Sequence, residues 1–125
     1  MKRTLVLAVV LGGLLTVAAG ALAAPPKKGG TYVGDIKSTF TLHIDMKVSP
    51  AGTKLLHFTY LCGTGRPPTT VFGIPIDKTG HFAFAKKDGS WKMAGHFVSP
   101  AKAFVSLNSI ACGGSKGSTT LTLRT

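Results

Sequence analysis

Glutamate is absent from the 125 residues, and the acidic side chains number only four, all aspartate. Asp35, Asp45, Asp77 and Asp88 are scattered, so no pair is placed as glycoside hydrolysis requires of its two carboxylates. Cysteine occurs twice, at Cys62 and Cys112, without C-x-x-C spacing, which excludes an all-thiolate zinc site. No Gly-x-Ser-x-Gly elbow is present, so a serine nucleophile of that kind is excluded. Gly63-Thr64-Gly65-Arg66 and Gly113-Gly114-Ser115-Lys116-Gly117 offer free N–H groups and a cation. Neither matches the phosphate-binding G-x-x-x-x-G-K-[ST] loop, so each is a turn that holds an anion weakly at most. After the N-terminal region no apolar run is long enough to span a bilayer, and the helical spacing of apolar residues is missing. These absences point to a protein that is not an enzyme and that needs no cofactor.

What is present begins with an export pattern. Lys2 and Arg3 precede the uncharged, mostly apolar run Thr4 to Val17, and Ala21-Leu22-Ala23 has the small-residue form that signal peptidase accepts. Residues 1–23 therefore read as a signal peptide, 24–30 as a flexible lead-in rich in Pro, Lys and Gly, and 31–125 as one domain. The expected location is secreted, on the exterior of the cell envelope or in a periplasm. An oxidising compartment makes a Cys62–Cys112 disulfide the economical reading of the cysteine pair. By loop entropy, closing about fifty residues stabilises by roughly 4 kcal/mol.

Charge is strongly one-sided. The chain carries 15 Lys plus Arg for its 4 acids, and without Lys2 and Arg3 a net of about +9 remains. Such a charge attracts anionic partners, and the candidate contacts are Lys27, Lys28, Lys47, Lys86, Lys87, Lys92 and Lys102. The cations are spread along the chain, a pattern equally expected of a domain that charge merely keeps soluble. Specific nucleic-acid binding is not expected, because Phe40, Phe58, Phe82, Phe84 and Phe97 fall in the core phase. Only Phe104 and Tyr32 are candidates for an outside position.

Period two dominates the remainder. Phe40, Leu42, Ile44, Met46 and Val48 share one face, and Thr41, His43, Asp45 and Lys47 share the other. Ser49-Pro50-Ala51-Gly52-Thr53 predicts a three-residue hairpin loop that sets Met46 against Leu56, Ile44 against Phe58 and Leu42 against Tyr60. Asp77-Lys78-Thr79-Gly80-His81 repeats the device and sets Ile76 against Phe82 and Ile74 against Phe84. Asp88-Gly89 predicts a two-residue type I′ turn with Phe84 opposite Met93 and Phe82 opposite Gly95. Ser99 to Lys102 turns the chain into a strand with Ala103, Val105 and Leu107 inward. Ile110 to Gly117 reads as a loop, and Thr119 to Arg124 closes the domain with Leu121 and Leu123 inward. The fold class is all-β: an antiparallel meander of about eight strands, forming a small sandwich or barrel.

The pattern Gly30-Thr31-Tyr32-Val33-Gly34, Cys62 and Cys112, Gly80-His81-Phe82 and Gly95-His96-Phe97-Val98-Ser99 resembles a group of small exported bacterial proteins of unknown function. The chain departs from that group at Phe104, where the pattern suggests glycine, and at Leu121, where an aromatic is usual. The resemblance implies a secreted β domain and brings no activity or functional residue.

The hairpin registers also place histidines. Asp45 is expected opposite His57 with His43 on the same face, and His81 opposite His96. These are the candidates for a divalent metal or a low-pH switch, set against ordinary residence on an exposed sheet face. The leading expectation is a non-enzymatic domain that associates with anionic cell-envelope polymers or acidic surfaces. The alternatives are a barrel holding a small apolar ligand, and a protein-binding or inhibitory module using a sheet edge or the Arg66-Pro67-Pro68 loop.

Overall fold

The computed structural model describes residues 24–63 and 65–125. The expected signal peptide, residues 1–23, lies outside the described residues. Eight strands follow one another: β1 (Thr31–Ile36), β2 (Leu42–Val48), β3 (Lys54–Cys62), β4 (Thr69–Pro75), β5 (His81–Ala85), β6 (Trp91–Ser99), β7 (Lys102–Ser109) and β8 (Ser115–Leu123). A single 3-10 turn, Ile110–Cys112, separates the last two.

All neighbours are antiparallel and belong to one sheet, ordered β4-β3-β2-β1-β8-β7-β6-β5. That order is an eight-strand up-and-down ring opened between β4 and β5. The first and last strands pair through Tyr32–Leu123 and Val33–Thr122, which brings the two halves of the meander together. One curled sheet, and not two packed sheets, therefore encloses the core: the molecule is a nearly closed barrel.

Alternation along the strands explains the core. Leu42, Ile44, Met46 and Val48 on β2 are buried, as are Ala103, Val105 and Leu107 on β7. Phe104 lies outside, 37% exposed. Tyr32 corrects the sequence expectation, because it is fully buried. It shares the inward phase of Ile36, packs edge-on to Phe97 at 5.2 Å, and its hydroxyl donates to the Pro100 carbonyl at 2.6 Å. The same hydroxyl accepts from the Lys27 amide, so a polar group in the core is satisfied. Burial raises the Tyr32 pKa, the amide bond opposing. The neutral phenol is thus the folded form: its contribution is complete below the ordinary tyrosine range and is lost as pH rises through the raised value. Tyr32→Phe is expected to cost about 1–2 kcal/mol by urea unfolding, because the Lys27 amide and Pro100 carbonyl lose their partner.

The predicted hairpins survive in different ways. In the β2–β3 hairpin the Ser49 amide donates to the Lys54 carbonyl, so the loop has one residue more than expected. A bulge then follows between Lys47 and Val48, with Val48 opposite Leu55 and Lys47 opposite His57. Leu55 fills the core, Leu56 is the extra residue, and Met46 faces Phe58 instead of Leu56. Ile44 accordingly faces Tyr60, and Leu42 faces Cys62. The Asp77–Gly80 turn forms as predicted, with the Asp77 amide donating to His81 and Gly80 at φ +81°. Its ladder does not continue, because β4 and β5 are the two edges of the sheet and splay apart. The β5–β6 register is as predicted, Phe84 on Met93 and Phe82 on Gly95. The turn is not type I′, since Asp88 does not take a positive φ; Gly89 alone does, at 78°. The Gly89 amide bonds the Lys86 carbonyl in a four-residue loop with the same centre, which is why the pairing is unchanged.

Both turn aspartates are held ionised by their hydrogen bonds. The Thr79 side chain, then the His81 amide, lowers the Asp77 pKa, and Ser90 does the same for Asp88. Their stabilisation is present above the ordinary aspartate range and lost as pH falls through the lowered values.

Gly95 is required by close approach. A Cβ there would lie 2.5 Å from the Phe104 carbonyl oxygen and 2.7 Å from the Phe82 ring. Gly95→Ala is expected to destabilise by about 2–3 kcal/mol in urea unfolding, because a backbone oxygen cannot yield.

The sequence expectation of a loop across Ile110 to Gly117 is shortened at its end: β8 begins at Ser115, whose side chain is buried and accepts from the Phe40 amide at 3.1 Å. The lead-in lies against the barrel, with the Gly29 amide donating to Ser49 and the Val48 amide to Gly30.

Candidate anion-binding surface

Strands that alternate in direction sort their ends. One barrel end gathers the β1–β2, β3–β4, β5–β6 and β7–β8 connections; the other gathers the lead-in and the remaining loops. Every basic residue from Lys27 onward sits in a loop or within two residues of a strand end. Lys37, Arg66, Lys86, Lys87, Lys92 and Lys116 belong to the first end. Lys27, Lys28, Lys47, Lys54, Lys78, Lys102 and Arg124 belong to the second. The cations that look dispersed along the chain are thus two basic rims, and the walls between them carry Ser, Thr, Ala, Asp and His among their outward residues.

Few of these cations are neutralised. Among the described residues the ion pair they make is Arg124–Asp45 at 3.8 Å, and Asp35 is hydrogen-bonded instead to His43, at 2.8 Å. Lys47 donates to the Gly29 carbonyl at 3.0 Å, which holds it at its rim. The candidates Lys27, Lys28, Lys86, Lys87, Lys92 and Lys102 are exposed. They do not form one patch, since Lys86, Lys87 and Lys92 lie at the opposite end from the others. Lys116, the cation of the Gly113–Gly117 segment, joins Lys92 at this end across β7: Lys92 pairs with Asn108, and Asn108 with Lys116.

The first end is built around the 3-10 turn. Cys112 is bonded to Cys62 with a Cα–Cα distance of 5.8 Å. The Ser90 carbonyl accepts from the Ile110 and Ala111 amides, and Arg66 donates to the Ala111 carbonyl. The Lys116 amide donates to Ser38 at 3.0 Å. Ser109 accepts from the Cys112 amide and pairs with Tyr60 in the core. The β3–β4 and β5–β6 connections therefore bond to the turn itself, and the β1–β2 connection bonds to the start of β8 just after it.

The histidines are rearranged in part. His81 does face His96, their rings stacked at 5.0 Å. Asp45 does not face His57: the bulge moves His57 opposite Lys47, and Asp45 faces Thr59. The carboxylate–histidine pair is Asp35 with His43, across β1 and β2, which a reading confined to the β2–β3 hairpin could not find. Among the described residues no three His, Cys or acidic side chains converge as a metal site would need. Nor is any described helix long and apolar enough to cross a membrane.

No protein-family model, curated protein or solved structure matches this chain. The structure itself shows an all-β domain whose two cysteines form a disulfide.

Proposed function

We propose that this chain is an exported, non-enzymatic domain, of the kind its sequence resemblance implies, that docks on anionic cell-envelope polymers or surfaces through its basic barrel ends. One observation carries the reading: among the described residues folding concentrates lysines and arginines at the rims, and Arg124 alone of them forms an ion pair with a carboxylate. Unpaired like charges held together cost folding energy, and an anionic partner relieves that cost. The interior is filled by Tyr32, Phe58, Tyr60, Phe82, Trp91 and Phe97 among others, so the exterior is where a ligand is sought.

Exposed charges act through a screened field, so salt is the test. Affinity for purified envelope polymer is expected to fall at least about tenfold between 50 and 200 mM salt, by counterion release at several contacts. Binding that holds constant over that range would overturn the proposal.

A further inference from the structure

We infer that the disulfide-bearing end is a docking face for an acidic phospholipid bilayer, with Ile110 as the residue that enters the acyl boundary; the inference rests on the electrostatic reading above. Ile110 is a large aliphatic side chain left 68% exposed. It stands on a turn held by the Cys62–Cys112 bond and by the Ser90 carbonyl, so its exposure is fixed and not a consequence of a loose loop. Gly113, at φ +67°, closes the turn by donating its amide back to the Ile110 carbonyl. Next to Ile110 an open cleft of about 300 Å³ is shared with Lys86, Lys92 and Asn108. Two ammonium groups and an amide beside a projecting aliphatic match a phosphate headgroup above an acyl chain. A soluble polyanion would use the cations and leave Ile110 in water. Among the described residues the other rim has its lysines and a less exposed aliphatic, Val98 at the β6 bulge, 46% exposed against 68% for Ile110. Charge alone gives reversible attraction, and a shallow apolar insertion adds the affinity that a lipid surface, unlike a polymer, can reward.

The test uses the exported, processed protein, its N terminus checked by mass, with vesicles of phosphatidylglycerol and phosphatidylcholine and with inorganic polyphosphate as the soluble anion. Ile110→Ser is expected to lower the ratio of vesicle to polyphosphate affinity about tenfold, the loss anticipated for part of one isoleucine's apolar area. Lys86→Gln with Lys92→Gln is expected to weaken vesicle binding about tenfold or more at 50 mM salt. Ile110→Trp is expected to shift its emission to the blue with acidic vesicles and to be quenched by brominated lipid, against the buried background of Trp91. An unchanged affinity ratio in Ile110→Ser, or an effect carried instead by Phe72→Ser on the β4 wall, would overturn the inference while sparing the electrostatic reading. Failure of the wild-type protein to bind either anion at low salt would overturn both.

Discussion

Replacing Cys62 and Cys112 together by alanine is expected to lower stability by roughly 4 kcal/mol, which for a domain of this size is a melting-temperature drop of about 15–30 °C. The bond joins residues 50 apart, so the unfolded chain gains the freedom of a long loop when it is cut. The folded state loses as well. Cys112 ends the turn to which the β3–β4 and β5–β6 connections bond, and Ser109 beneath it links that turn to Tyr60 in the core. Hydrogen exchange in the double variant should therefore rise first at residues 109–115. A melting temperature within about 5 °C of the parent would show that this end of the barrel holds without its staple.

Trp91→Ala is the second large effect, expected at about 3–5 kcal/mol in denaturant unfolding. Trp91 is 5% exposed and reaches across the barrel from β6. Its ring meets Phe58 at 6.1 Å, Tyr60 at 5.1 Å and Phe84 at 5.0 Å. Two of those partners lie on β3 and one on β5, so the tryptophan ties strands that are not neighbours in the sheet. Truncation leaves a cavity that the three surrounding rings cannot collapse to fill. Trp91→Phe keeps part of the volume and is expected to cost about half as much. Equal losses for the two variants would mean that the tryptophan contributes through something other than packed volume.

Local alternation made most of the barrel wall legible. The β2 and β7 faces and the Phe84–Met93 register followed from period two and from where glycine and aspartate turn the chain. What failed was ambiguous locally or decided at a distance. Leu55 and Leu56 are adjacent and equally apolar, so nothing in the sequence says which faces inward; the bulge decides, and with it the position of His57. The Asp77 turn looks like the start of a ladder, yet the sheet opens there because β1 and β8 pair elsewhere. Trp91 was legible in retrospect, since it shares the phase of Met93 and Phe97, but its position just after a turn hid it. Tyr32 likewise shares the phase of Ile36.

The candidate surface was only half visible. Lysine numbers announced attraction to anions. The sorting of those lysines to two ends needed the alternation of strand direction, and the exposed isoleucine beside them needed the 3-10 turn. Charge that looks evenly distributed along a meander is gathered at rims whenever it falls near strand ends, because that is where the chain repeatedly returns.

Amide chemical-shift mapping with a soluble polyanion tests the central claim most directly. Perturbations are expected at the rims, in the 86–92 and 110–116 segments and around Lys27, Lys54 and Lys102, fading as salt is raised. Shifts centred on the mid-wall residues Thr59, Thr70 and Thr120, or on the core around Phe58 and Trp91, would contradict it.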